Sequence, residues 1–173
     1  DVVIAVYGEE PYAEFQGDRD HLDFTPNGFD TEQLTTYAQA GTPVVSVFLS
    51  GRPLWTNPEI NASNAFVAAW LPGTEGGGIA DMIFRTDPAF DFTGRLSFSW
   101  PANATGGPLN RGDAAYAPQF PYGYGLGFDD ETEVGQLSEE SGLSAEDLTP
   151  SGAFFMRGQA ISPWQVETGI GGD

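Results

Sequence analysis

Three apolar, β-branched runs constrain this chain more than anything else in it: residues 2–7 (VVIAVY), 42–49 (TPVVSVFL) and 65–71 (AFVAAWL). Each is continuously apolar rather than alternating, the pattern of a strand covered on both faces in a parallel sheet. Between the first two, Asp30 can cap a helix over residues 31–40 that places Leu34, Tyr37 and Ala38 on one core face, and Gly41 can end it. A short helical stretch near residues 58–64 separates the second and third. Strand, helix, strand, helix, strand predicts right-handed crossovers. The expected fold is an α/β three-layer sandwich with a mostly parallel sheet and helices on both faces.

Gly8 breaks the first run, and residues 8–22 that follow are crowded with carboxylates, aromatics and turn formers. In open α/β sheets ligands bind beyond the carboxyl ends of the strands, so this loop is placed for chemistry. Glu14 lies between Tyr12 and Phe15, and apolar surroundings favour a protonated carboxyl, which is what a general acid is. Glu9 and Glu10 precede Pro11, which holds the chain extended, while Asp18 and Arg19 follow Gly17 and can pair locally or fix the loop. The plain alternative is a solvated acidic loop. A metal site from Glu9, Glu14, Asp18 and His21 is a lesser alternative, because neither HExxH nor EF-hand spacing is present. Arg52 and Trp55 leave the second strand at the same end and would border the same crevice, with a structural ion pair to a loop carboxylate as the preferred role of Arg52.

Downstream, Pro72 and residues 73–78 turn the chain into a helix near residues 79–84, with Glu75 expected at its N-terminus or, failing that, against the acidic loop. The glycines there lack a Walker lysine and a GxGxxG pattern, so no cofactor is expected. Residues 94–100 alternate as an edge or one-sided strand would, and residues 101–127 read as an ordered, aromatic-rich wrap. Residues 129–147 are acidic and poor in large apolar side chains. The expected division is therefore 1–128 as the sandwich domain with the loop, 129–150 as an acidic linker, and 151–173 as the start of a β-rich accessory module.

The run from Gly8 to Glu14 (GEEPYAE), with Gly17, Asp18 and Leu22, resembles the second-domain catalytic loop of glycoside hydrolase family 3, the β-glucan exohydrolases and β-glucosidases. Further matches follow in family order: SGRP at 50–53, AAWLPGTEG at 68–76, FTGRL at 92–96, Ser99 and Trp100, and YGYGL at 122–126. They cover residues 1 to about 128. The resemblance implies that Glu14 is the acid/base, and that role is carried over to Glu14 only. From their positions in and around the loop, Tyr12 and Phe15 are expected to bind substrate, and Glu10, Asp18, Arg19, Arg52 and Glu75 to support the loop. The family's nucleophilic Asp belongs to a barrel domain, and no segment here matches its motif.

The chain carries 25 acidic residues against six arginines and no lysine, a formal net charge of −19. Nucleic acid is thereby an unsuited partner, since phosphate binding depends on basic groups. No long apolar span or basic amphipathic face supports a membrane role. Absence of cysteine excludes disulfides and thiolate catalysis. The chain starts at Asp1 inside a strand without an initiator Met and stops at Gly171, Gly172 and Asp173, which is expected of a piece of a longer enzyme. The expected function is part of a retaining, exo-acting β-glucosidase or β-glucan glucohydrolase, secreted or periplasmic, acting on a β-linked glucan or oligosaccharide together with an N-terminal barrel. Alternatives are a non-catalytic α/β domain binding carbohydrate or protein, or a family 3 xylosidase or N-acetylglucosaminidase.

Overall fold

The computed structural model describes residues 1–24, 31–148, 155, 156, 159 and 160. The expected helix cap Asp30 lies outside them, as does most of residues 151–173. The chain forms two compact units, Asp1–Gly142 and Leu143–Asp173.

In the first unit the three apolar runs become strands β1 (Val3–Gly8), β2 (Val44–Leu49) and β3 (Ala65–Trp70), with helix α1 (Thr31–Gln39) before β2, α2 (Asn57–Asn61) before β3 and α3 (Gly76–Ile83) after it. The sheet is parallel in the order β1-β2-β3, an α/β sandwich arrangement, with Val3 opposite Val44 and Gly8 opposite Leu49. Between β2 and β3 the register shifts at Phe48 and Leu49, so that Leu49 faces Trp70. Trp70 there takes a left-handed φ of 55°.

Because side chains alternate across a strand, this register puts Val3, Ala5, Tyr7, Val44, Phe48, Phe66, Ala68 and Trp70 on one face; Tyr7, Val44 and Phe48 belong to the buried core cluster and the other five pack against it, partly buried. Phe48 sits at its centre, with ring centroids 4.9 Å from Phe24, 5.7 Å from Phe66 and 6.2 Å from Trp100. Edge-on and tilted rings at these separations add to the stabilisation that burial provides. Burial also pushes the Tyr7 phenol above its ordinary pKa.

The opposite face departs from the sequence expectation of strands buried on both sides. Val47 on the central strand is buried, but Val6 on the edge strand β1 is 61% exposed. Continuous apolarity records that a face is meant to be covered; whether a given edge is covered depends on elements packed from elsewhere. The predicted face of α1 is likewise narrower than expected, since only Leu34 is buried while Tyr37 and Ala38 are exposed.

Residues 94–100 do not form the expected strand. Trp100 makes a single antiparallel bridge to Phe120, and Leu96 exchanges backbone hydrogen bonds with Gly123 and Tyr124. The polar half of that alternation has a closer use, because the Ser99 hydroxyl meets the Tyr116 hydroxyl at 2.7 Å. Trp100 is 2% exposed in the core, and from the wrap Phe120 packs against that core and stacks on Tyr124 at 4.7 Å, whereas Tyr122 is exposed.

The division between the units falls after Gly142, further along than the change of composition at Phe128. Residues 137–141 are fastened to the first unit by backbone-directed bonds rather than by apolar burial. The Asn61 amide donates to the Leu137 carbonyl at 2.9 Å and accepts from the Leu137 N–H at 2.8 Å, the Asn57 amide donates to the Ser138 carbonyl at 2.8 Å, and the Ala104 N–H donates to the Ser141 carbonyl at 2.8 Å. In the second unit the Ser144 N–H and hydroxyl both donate to Asp147, and two short strands, β4 (Phe155–Met156) and β5 (Gln159–Ala160), pair antiparallel. No helix among the described residues is long and apolar enough to cross a membrane.

Candidate active site

The acidic loop leaves β1 beside the turn that leaves β2, because the two strands are parallel neighbours in register to their last residues. Their ends approach so closely that a Cβ on Gly8 would collide with the Leu49 carbonyl oxygen, and the Glu9 N–H donates to that oxygen at 2.9 Å. The sheet thereby aims Glu9 at Ser50 and Arg52. One oxygen of the Glu9 carboxylate accepts from Arg52 Nε at 3.0 Å, and the other accepts from the Ser50 hydroxyl at 2.7 Å. The single Ser50 proton is shared with the Arg52 carbonyl at 2.6 Å, while Ser50 Oγ accepts the Arg52 N–H at 3.1 Å. Arg19 approaches the same Glu9 oxygen at 3.7 Å. The Glu9 side chain is only 8% exposed, so these are charge-assisted bonds in a partly desolvated place.

The network extends through the loop. Arg52 Nη1 donates to the Gly17 carbonyl at 2.5 Å, and its guanidinium lies 4.1 Å from the centroid of the Tyr12 ring. Tyr12 in turn fits between two glycines, since a Cβ on either Gly17 or Gly51 would strike its side chain. Arg19 holds the far end of the loop by donating to the carbonyls of His21 and Asp23.

Glu14 stands at the opposite extreme. It opens a 3-10 turn, Glu14–Gly17, whose bonds run from the Gln16 N–H to the Ala13 carbonyl and from the Asp18 N–H to the Phe15 carbonyl, both at 3.1 Å. Its φ is 47°, a left-handed conformation that costs a non-glycine residue roughly 1–2 kcal/mol. Glu14 is exposed, and Phe15 beside it is 76% exposed. The apolar enclosure expected around Glu14 is therefore not formed by the described residues of this chain.

The structure thus brings Tyr12, Arg19 and Arg52 together with Glu9, and Arg52 makes the ion pair expected of it. Tyr12 is committed to the loop interior along one ring face, whereas Phe15 projects. Glu10 is exposed at the loop entry, and Asp18 is exposed and joins the turn through its N–H. Two residues stand apart from expectation. Trp55 is 6% exposed, bonded through its backbone N–H to the Leu22 carbonyl, and belongs to the core rather than the crevice. Glu75 precedes α3 at the cap position, but its carboxylate bonds neither the helix end nor the loop and accepts the Thr74 hydroxyl at 3.1 Å. The set Glu9, Glu14, Asp18 and His21 is not drawn into a cluster able to hold a metal among the described residues.

Glu9 and Ser50 are the residues whose part in the site sequence reasoning missed. A usable signal exists: each is the first residue beyond its strand, and parallel neighbours in register place such residues side by side.

The fold and its motifs have counterparts among known proteins. Residues 1–128 match the glycosyl hydrolase family 3 C-terminal domain. The periplasmic beta-glucosidase of Salmonella typhimurium is 31% identical over 151 residues, covering 74% of this chain and 19% of that protein. A xylan 1,4-beta-xylosidase of Xylanibacter ruminicola is 32% identical over 122 residues, 64% of this chain and 13% of that protein. The crystal structure of the exo-1,3/1,4-beta-glucanase ExoP from a Pseudoalteromonas species superposes with a TM-score of 0.75 at 50% identity, over 83% of this chain and 18% of that one. The chain spans less than a fifth of the length of each of these proteins.

Proposed function

Because the chain belongs to glycosyl hydrolase family 3 through its C-terminal domain, we propose that it supplies the general acid/base, Glu14, of a retaining exo-acting β-glucosidase or β-glucan glucohydrolase that releases glucose from non-reducing ends. Retention needs two carboxyl groups across the scissile bond, about 5–5.5 Å apart. A nucleophilic Asp on a barrel domain outside this chain attacks the anomeric carbon. As the glycosidic C–O bond breaks, the Glu14 carboxyl gives its proton to the departing oxygen. The Glu14 carboxylate then takes a proton from the water that opens the glycosyl-enzyme.

The observation that carries this reading is a carboxylate held out at the exposed tip of a loop whose base is bonded into the sheet. An acid that must meet the glycosidic oxygen of a substrate held by another domain has to project, and its backbone has to be held. Phe15, exposed beside it, offers the sugar or aglycone an apolar face, and Tyr12 is 40% exposed. The open apolar side chains Val6, Phe15 and Leu71 support contact with further protein, of which the barrel is the proposed source. The names of the β-glucosidase and exo-β-glucanase relatives support a glucan substrate, and the periplasmic relative supports a secreted or periplasmic site of action. A xylosidase is the second reading, favoured by the xylosidase relative.

The test is Glu14→Ala in the intact two-domain enzyme. Turnover of substrates with poor leaving groups should fall by roughly two to four orders of magnitude, the range general acid catalysis supplies. Activated aryl glucosides should keep their first step, and azide should restore their turnover by attacking the glycosyl-enzyme without a general base. Equal losses on all substrates without azide rescue would remove the role from Glu14.

A further inference from the structure

We propose that Glu9 is the positioning residue of this site: its carboxylate, clamped to Ser50 and Arg52, sets where the Glu14 carboxyl stands. The proposal rests on the acid/base reading of Glu14. Glu9 touches no reacting atom and acts through the loop.

Both Glu9 oxygens are engaged, one by Arg52 Nε at 3.0 Å and the other by Ser50 Oγ at 2.7 Å, and the side chain is 8% exposed. Arg52 carries that hold forward, because its Nη1 donates to the carbonyl of Gly17, the last residue of the turn that Glu14 begins. The same guanidinium covers the Tyr12 ring two residues before Glu14. The turn is thus gripped on both sides of Glu14 by one arginine, and that arginine is oriented by one carboxylate. Such a grip is needed: the left-handed φ of 47° at Glu14 is unfavourable and persists only where the surroundings determine it. Arg19 has its own anchor in the carbonyls of His21 and Asp23, so Glu9 is the point where loop entry, loop exit and the neighbouring turn meet. Removing the Glu9 charge leaves Arg52, whose side chain is 23% exposed, without its carboxylate. Its guanidinium then has reason to turn outward and release Gly17 and Tyr12. An acid displaced by about 1 Å loses on the order of a hundredfold in rate.

The experiment uses the intact two-domain enzyme and four proteins: wild type, Glu9→Gln, Glu14→Ala and the double variant. Each is assayed for kcat/KM on dinitrophenyl β-glucoside, which needs no proton, and on phenyl β-glucoside, which does. Glu9→Gln should lose about 10–100-fold on the phenyl substrate and less than about threefold on the dinitrophenyl one. In the Glu14→Ala background the same substitution should change phenyl glucoside turnover by less than about threefold, because a residue acting through Glu14 has nothing left to position. Equal losses on both substrates, or losses that multiply in the double variant, would mean that Glu9 only stabilises the fold, and the proposal would be overturned. Should Glu9→Gln fail to fold, Ser50→Ala keeps the ion pair and removes one bond to Glu9; about 3–10-fold selective loss on the phenyl substrate is then expected, and none overturns the proposal. If Glu14→Ala itself shows no leaving-group selectivity, the acid/base reading falls and takes this one with it. If it does show it and Glu9→Gln does not, only the positioning role falls.

Discussion

The root and the tip of the acidic loop are five residues apart and physically opposite. At the root, Glu9 is 8% exposed in its side chain and bonded to two partners drawn from the neighbouring strand's turn. At the tip, Glu14 is exposed in a left-handed backbone conformation, next to a Phe15 that is 76% exposed. Two glutamates of one motif are thus used for different work. The root commits its charge to holding backbone, in a desolvated place where ion pairs and hydrogen bonds are strong. The tip leaves its carboxyl exposed, as the proposed role of a proton donor shared between two domains would require. The loop is thus fastened at its root and left open at its tip, where the proposed chemistry would take place.

The comparison breaks most severely at Gly8, where the chain leaves the strand. Gly8→Ala drives a methyl group into the Leu49 backbone, which cannot move without parting β1 from β2. Urea unfolding should show a loss of about 3 kcal/mol, at the upper end of overpacking costs; a loss under about 0.5 kcal/mol would mean that the strand ends are not so close. A smaller effect of opposite sign is expected at the tip. Glu14→Gly relieves the left-handed backbone and should raise stability by roughly 0.5–1 kcal/mol while removing the acid. A destabilised Glu14→Gly protein would show that Glu14 is held by its own side chain, and the contrast with the root would blur.

A buried carboxylate elsewhere in the first unit, Glu59, differs from Glu9 in its partners. Glu59 is 5% exposed and accepts the Thr31 hydroxyl at 2.8 Å, and unlike Glu9 it has no ion pair with an arginine among the described residues. Burial pushes its pKa above the ordinary 4.5, against the lowering effect of the Thr31 bond, and the charges of Asp23 and Glu139 add to the rise. With the folded value raised, the folded state holds the proton more tightly than the unfolded chain. The stability that Glu59 contributes is then fullest below pH 4.5 and is lost as pH rises through the folded value. Glu59→Gln should therefore raise the melting temperature at neutral pH and leave it nearly unchanged at acid pH. An equal shift at both would assign the effect to packing rather than to charge.

Much of this was legible in residue order. Three apolar runs, spaced by helix-length intervals, determined a parallel α/β sheet and placed the acidic loop at its carboxyl end, because strand and helix periodicities are local properties of the chain. Glycine at position 8 marked the end of β1. The tertiary structure alone decided which glutamate is buried. Glu9 and Glu10 are adjacent and chemically identical, and only the strand register turns Glu9 toward Ser50 and Arg52, which are 41 and 43 residues away. It also decided that Trp55 packs inward, that residues 137–141 join the first unit through Asn57 and Asn61, and that residues 94–100 pair without forming a strand. The reason is common to all of these. A pattern of apolar and polar residues states that a side chain is to be covered or paired, whereas the identity of its partner is a matter of three-dimensional distance, which residue order does not contain.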